Sequence, residues 1–337
     1  MNKRIVWLDY GKGLCMLLVI LFHTWAYYAS NGIAILRWIE PFFLTLFFFI
    51  TGYLTNIKTF DLKKQLVSII QKLLLPYIIF ETITWFPKAL SHGYDLNLIS
   101  AVKDILGGYA GWYVAALVCT KLTLSFILQI TKQLKSIWVF TAIVFVIGLC
   151  LSEFVLINLP WYLDKGLIAL FYVVLGMTYR EYEDKEKQIS TTFSIISLLV
   201  YVVAIYINSY VFEYMHCVYQ MSRGNVDIIK AIPYMIVSVF AIWIVVNFLK
   251  RIPSNFKWLS YIGENSLIFY FLNGGVLTVM ILIFNKIGLS YQGNNWNCII
   301  LFGITIGVLY VVSYLIMRFA PWMVGNFKTT KMSKDKL

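Results

Sequence analysis

The chain has 337 residues, of which 60% are apolar and only 13% charged, and its mean hydropathy is +0.77. Water-soluble domains are about half apolar and about one quarter charged, so an ordinary soluble fold is excluded. The net charge of +12 would suggest nucleic acid in a soluble chain. Here the basic residues fall in short loops between apolar runs, which assigns them to the positive-inside rule and leaves no nucleic-acid partner.

Taken in chain order, the N-terminus first resembles a signal peptide, with Lys3 and Arg4 ahead of an apolar stretch. Asp9 and Lys12 interrupt it, and no small-residue cleavage site precedes about Tyr28, so it reads as a retained first helix. Apolar runs of roughly bilayer-spanning length then recur. They predict spans at about 13–30, 41–57, 66–86, 109–130, 137–157, 162–179, 189–212, 229–249, 262–284 and 298–318. The predicted fold is therefore all-α, a polytopic transmembrane helical bundle of about ten spans. Outer loops hold Arg37, Lys88, Lys103, Lys165, Arg223, Lys230 and Lys286. Lys12 and Lys121 lie within or beside spans, and the other Lys and Arg fall on the side of the N-terminus. This bias predicts both termini in the cytoplasm. The longest loops, about 87–108 and 213–228, are expected outside, with His216 in the second. The mixed-charge stretch Arg180–Gln188 reads as a solvated connector. Residues 1–325 are taken as one membrane-embedded domain and 326–337 as a basic cytoplasmic tail, with mobility expected from Pro321 onward. No internal repeat is found, which disfavours the repeat-built transporters.

The five cysteines, Cys15, Cys119, Cys150, Cys217 and Cys298, form no CxxC or metal spacing and read as small apolar residues. Cys217 and Cys298 both face outward in this topology, which leaves a disulfide open. With three histidines, His23, His92 and His216, no histidine-rich metal site is expected.

The first span is the most informative. Lys12 and His23 lie 11 positions apart in WLDYGKGLCMLLVILFHTW, which returns nearly to the same helix face about 16 Å further along. Asp9 is about 40° from that face. One stripe thus carries an acid and a base near one membrane surface and an imidazole past mid-membrane. Ionisable groups at such depth are costly and commonly face a bundle interior or a wet cavity. The local alternative is an i,i+3 interfacial pair for Asp9 and Lys12 and plain packing for His23. Glu81, within LLLPYIIFETITWF, is either a functional group or a structural partner of His23 or another polar residue. Glu264 and Asn265 read best as the cap of the ninth span. Trp112 and Tyr113 read as an aromatic belt, and Lys121 is long enough to snorkel.

Residues 7–23 resemble the opening of the acyltransferase family 3 membrane proteins, most closely the fucose 4-O-acetylase-like, surface-polysaccharide O-acetyltransferase branch. That family has a basic residue, ten intervening positions and a histidine in its first helix, a spacing that Lys12 and His23 match. Pro41 followed by LFFFITGYL (46–54), LLLPY (73–77), GWYVAAL (111–117), FYVVLG (171–176) and WLSYIGENSLIFYFLN (258–273) resemble later family segments, in the family's order. There are two departures. Lys12 stands where many members have Arg, and Asn273 stands where many have His.

The resemblance implies an integral protein of the cell membrane that transfers an acyl group, most simply acetyl from acetyl-coenzyme A, to a hydroxyl of a cell-surface glycan or lipid-linked precursor. His23 is then the expected general base. Lys12, Asp9, Glu81 and Asn273 are the expected donor- or substrate-binding residues. Acetyl-coenzyme A is a co-substrate, with no permanently bound cofactor and no metal. A histidine near neutral pKa suits removal of a hydroxyl proton, and cations suit the phosphates of coenzyme A. The rival reading is a polysaccharide exporter or lipid-linked sugar flippase of the same fold, since a polar stripe can also line a passage. A scaffold in a glycan-assembly complex is a third.

Overall fold

A computed structural model describes residues 5–29, 36–92, 97–155, 157–183, 191–206, 228–253, 255–291, 293 and 295–327. These residues are almost wholly helical, with no strand among them. The helices are α1 (Val6–Thr24), α2 (Leu36–Phe43), α3 (Thr45–Leu54), α4 (Leu62–Ile69), α5 (Leu75–His92), α6 (Leu98–Leu106) and α7 (Trp112–Ile130). They continue with α8 (Leu134–Phe154), α9 (Leu163–Tyr182), α10 (Thr191–Tyr206), α11 (Ile228–Arg251), α12 (Lys257–Glu264), α13 (Ser266–Lys286) and α14 (Asn295–Phe319). Among the described residues, eight helical stretches are long and apolar enough to cross a membrane, and Trp38–Leu54 is a shorter apolar helix. The chain is a polytopic helical bundle.

The composition explains why only helices form. In hydrocarbon every backbone N–H and C=O must be satisfied within the segment. Five buried threonines follow the same rule: Thr24, Thr45, Thr84, Thr120 and Thr141 each turn the hydroxyl onto the carbonyl four residues earlier, at 2.7–2.8 Å. Val139, Ile143, Val146 and Ile147 on α8 are exposed, as the lipid-facing side of a bundle requires.

The contacts sort into two interleaved units. The first holds residues 1–18, 33–60 and 115–264. Its tightest pairing is α3 on α9. Added Cβ atoms at Gly52 and Gly176 would stand 1.7 Å from the Val173 carbonyl oxygen and 2.0 Å from that of Phe49. No side chain fits at either position, and small residues are how membrane helices bring backbones this close. The Tyr201 hydroxyl donates to the Trp38 carbonyl and that of Tyr234 to the Glu40 carbonyl, tying α10 and α11 to α2. The second unit holds residues 19–32, 61–114 and 265–337. In it α5 packs on α13, with Phe80 stacked on Phe271 at 5.4 Å and Tyr77 against the same ring at 6.3 Å. The apolar run of the first span continues through α1 and a π-helical turn, Trp25–Ala29.

Several expectations change. The second span is two helices, α2 and α3, with a turn at Leu44. The third is longer than expected: α4, a π turn at Ile70–Leu74 and α5 run without interruption, with Pro87 inside α5. The predicted loop 87–108 therefore includes the end of α5 and all of α6, which the Asn97 side chain caps by accepting from Ile99 N–H. The ninth span breaks into α12 and α13. Asn265 occupies the N-cap position of α13, but its side chain makes no capping bond there. The backbone angles, φ −103° and ψ 17°, are not the extended ones of a capping residue, and its carbonyl accepts from Ile268 N–H at 2.9 Å. The tail is ordered past its expected start: Pro321–Val324 form a 3-10 turn, and Gly325, at φ 71°, lies against the Gln71 carbonyl oxygen. Residues 213–227 of the predicted loop 213–228, with His216 and Cys217, and residues 328–337 lie outside the described residues.

Candidate functional site

His23 stands in the last turn of α1, directly before the π-helical turn. Single π turns recur at functional sites because they offset the side chains that follow. The imidazole is half-buried. Its ring stacks on Tyr27 at 5.4 Å with 28° between planes, and Phe22 meets it edge-on at 5.8 Å. Across from it, Asn273 projects from the middle of α13 and is 1% exposed. Its Nδ2 lies 2.6 Å from His23 Nδ1. Asn273 Oδ1, equally buried, has no hydrogen-bond partner among the described residues. Sequence named both residues, and the structure brings them into direct contact although 250 positions separate them.

Glu81 belongs to the same unit. It is fully buried on α5, and a Cβ on Gly111 would stand 2.6 Å from its Oε1 and 3.1 Å from the Tyr77 ring. Gly111 thus leaves the room that the Glu81 carboxylate occupies. Tyr113 is buried against Tyr270 at 5.5 Å, so its role is packing rather than the expected aromatic belt. Only Trp112, edge-on to it at 6.1 Å, keeps a partly open surface.

Asp9 and Lys12 belong to the first unit. They form the i,i+3 ion pair, Nζ to Oδ1 2.9 Å, with side chains 11% and 24% exposed. Nearby, α12 touches the backbone of α1: a Cβ on Gly263 would stand 1.8 Å from the Asp9 carbonyl oxygen. Tyr10 fastens the same turn by donating to the Pro253 carbonyl at 3.0 Å, while its oxygen accepts from Phe256 N–H at 3.1 Å.

Two clusters went unrecognised in the sequence. In the first, Lys250 pairs with Glu183, donates to the Tyr179 hydroxyl at 2.7 Å and lies over the Trp7 and Tyr179 rings. The Tyr53 hydroxyl donates to Glu183 at 2.6 Å, and Arg180 to the Tyr53 carbonyl at 3.1 Å. The start of the expected solvated connector is therefore a partly buried ionic network. Its residues are far apart in sequence, and as span-end charges they carried only a topology signal. In the second, Lys165 begins α9 rather than lying in an outer loop. It is 2% exposed, 2.9 Å from Asp164 and 2.5 Å from the Ser152 hydroxyl of α8. The adjacent Asp-Lys at the head of an apolar run was the available signal. Just before them, Trp161 and Tyr162 hold φ of 57° and 47°, a region that non-glycine residues seldom occupy.

An acyltransferase-domain family profile matches residues 5–318, from the start of α1 to the end of α14. The chain belongs to the acyltransferase family 3 membrane proteins. No match is found among curated proteins or among solved structures. For a membrane acyltransferase, the His23–Asn273 pair joins a proton-transferring group to a buried amide whose Oδ1 has no hydrogen-bond partner among the described residues. An imidazole can move a proton, and the amide keeps one polar atom without a partner.

Proposed function

We propose that this membrane acyltransferase moves acetyl from acetyl-coenzyme A to a hydroxyl of a cell-surface glycan or its lipid-linked precursor, in the cell membrane. One observation carries the reading: a half-buried imidazole, deep along the first helix, held at 2.6 Å by a buried side-chain amide. His23 takes the proton from the acceptor hydroxyl as its oxygen attacks the thioester carbonyl. The tetrahedral intermediate collapses, the C–S bond breaks, and the coenzyme A thiolate leaves and takes up the proton. The products are an O-acetyl ester and free coenzyme A, and no oxidant or metal is consumed. Lys12, steadied by Asp9, faces the phosphate-bearing donor as a cation. Glu81, beside Gly111 in the same unit as His23, is assigned to substrate binding.

The test uses purified protein in lipid, radiolabelled acetyl-coenzyme A and membrane-extracted glycan. Label is expected in the glycan, as an ester released by mild base. Glycan movement across sealed vesicles without any donor, and with no label transferred, would replace the enzyme by an exporter.

A further inference from the structure

The His23–Asn273 contact has two chemically different forms. With Nδ2 of the amide toward the ring, the amide donates and Nδ1 accepts. A neutral imidazole then carries its proton on Nε2. Neither nitrogen is left with a lone pair for a hydroxyl proton, so a ring held this way is no base. Half a turn of the carboxamide places Oδ1 where Nδ2 was. Nδ1–H then donates to Oδ1, and Nε2 keeps its lone pair. The amide has nearly the same shape in both forms, and each makes one bond to the ring. With Nδ2 toward the ring, the outer Oδ1 is buried with no donor among the described residues. Chemistry does choose, because only the second form leaves a ring nitrogen that is neither protonated nor bonded to Asn273.

We propose that Asn273 is a positioning residue whose Oδ1 accepts from His23 Nδ1–H, fixing the tautomer in which Nε2 is the base. The proposal rests on the acyl-transfer reading of His23. The precedent in physical terms is the partner behind a working imidazole, which sets by its own hydrogen bond which ring nitrogen carries the proton. A carbonyl oxygen can fill that role without adding a buried charge, which costs several kcal/mol in an apolar bundle. In this orientation the amide NH2 occupies the outer position, where it can donate to an oxygen of the bound substrate.

The decisive measurement is the ring 15N spectrum of the full chain, labelled on histidine and reconstituted in lipid, above the pH at which the rings become neutral. The chain has three histidines, so a His23→Ala sample identifies the His23 signals by their loss. A protonated Nδ1 and a bare Nε2 are expected. A protonated Nε2 overturns the proposal. Two variants test it through turnover. Asn273→Asp keeps an acceptor and is expected to stay within about tenfold of the parent. Asn273→Leu removes it and is expected to lose between about 10²- and 10⁴-fold, the range seen when an orienting partner is lost or the tautomer is wrong. A folded Asn273→Asp protein as slow as Asn273→Leu overturns the proposal. If Asn273→Asp does not fold, the spectrum of the unsubstituted chain decides alone. Normal transfer by His23→Ala would remove the base reading while a protonated Nδ1 left the Asn273 assignment standing, so the two failures are distinguishable.

Discussion

Two clusters of polar side chains sit inside apolar helices, and they differ in how completely they are satisfied. At the head of α9, Lys165 meets a carboxylate at 2.9 Å and a hydroxyl at 2.5 Å, with side chains of the ion pair 3% and 9% exposed. At the end of α1, His23 is half-open, and its partner Asn273 keeps a buried carbonyl oxygen without a donor among the described residues. Burying a charge in hydrocarbon is costly unless it is paired and hydrogen-bonded, so a closed cluster such as Lys165–Asp164–Ser152 is what structure alone requires. An incompletely satisfied one keeps hydrogen-bonding capacity in reserve, which the proposed acyl transfer would use. Buried ionisable residues in a membrane chain are therefore best sorted by whether their hydrogen-bonding capacity is used up.

The largest expected effect separates the two clusters at once. His23→Ala should lower acyl transfer by about 10²–10⁴-fold, the usual contribution of general-base assistance, with little change in thermal unfolding. Turnover and melting temperature, measured on the same detergent-purified sample, check both halves. Near-normal turnover in a well-folded variant would move suspicion to Glu81.

Lys165 should show the opposite pattern. Lys165→Ala leaves Asp164 buried without its cation, a loss of about 3–5 kcal/mol for a broken buried pair. The Asp164→Leu/Lys165→Met double variant removes both charges and should recover most of it, because apolar replacement of a whole buried pair is often neutral. Transfer per folded molecule should be unchanged in both. Reduced turnover in the stable double variant would make this cluster part of the site.

Much of this contrast was legible in the sequence, for reasons particular to each residue. His23 and Lys12 could be read because the 3.6-residue repeat places positions 11 apart on one stripe, and an imidazole amid apolar residues is conspicuous. Asn273 was noticed only as a departure from the resemblance. Its contact with His23 depends on how α13 lies beside the end of α1, which no local pattern encodes. Lys165 falls inside the predicted span 162–179, but a Lys near a span end reads as a loop charge; the structure buries it in the first turn of α9, against Asp164 and Ser152. Glu183, Lys250 and Tyr53 come from three separate segments, so only tertiary packing reveals their network. Helix existence followed from composition. The break at Leu44 did not, since the apolar run continues through it, whereas at Asn265 the polar Glu264-Asn265-Ser266 step marked a helix start and not that a further helix, α12, precedes it.

A third variant tests how much of the first unit rests on close backbone approach. Gly176→Ala would force its Cβ to within 2.0 Å of the Phe49 carbonyl oxygen, so α3 and α9 must separate. Overpacking of this kind costs about 1–3 kcal/mol, and here the obstacle is backbone, which cannot rotate aside. Chemical denaturation in mild detergent should show the loss, whereas Gly303→Ala on α14, where no atom lies within 4 Å of an added Cβ, should be neutral. Equal losses for the two would mean that the α3–α9 contact is not limiting.

The smallest effect concerns Lys12, and its form matters more than its size. Its ammonium lies 2.9 Å from Asp9, with side chains 24% and 11% exposed, so the pair is more open than Lys165–Asp164 and its loss should cost less stability than the loss there. If Lys12 faces the donor phosphates, Lys12→Ala removes a charge felt equally in the ground and transition states. Uniform binding of that kind raises KM and leaves kcat alone. A charge-assisted hydrogen bond is worth about 1.5–3 kcal/mol when well formed. Partial exposure reduces that to a rise of about tenfold in the KM for acetyl-coenzyme A. Lys12→Arg keeps the charge and, on the resemblance to relatives with Arg at this position, should remain near the parent value. Asp9→Asn separates the two roles considered for the pair. If Asp9 only orients Lys12, KM should rise less than in Lys12→Ala, with kcat again unchanged. A fall in kcat at saturating donor for Lys12→Ala would instead place this end of α1 in the chemical step and blur the contrast with His23.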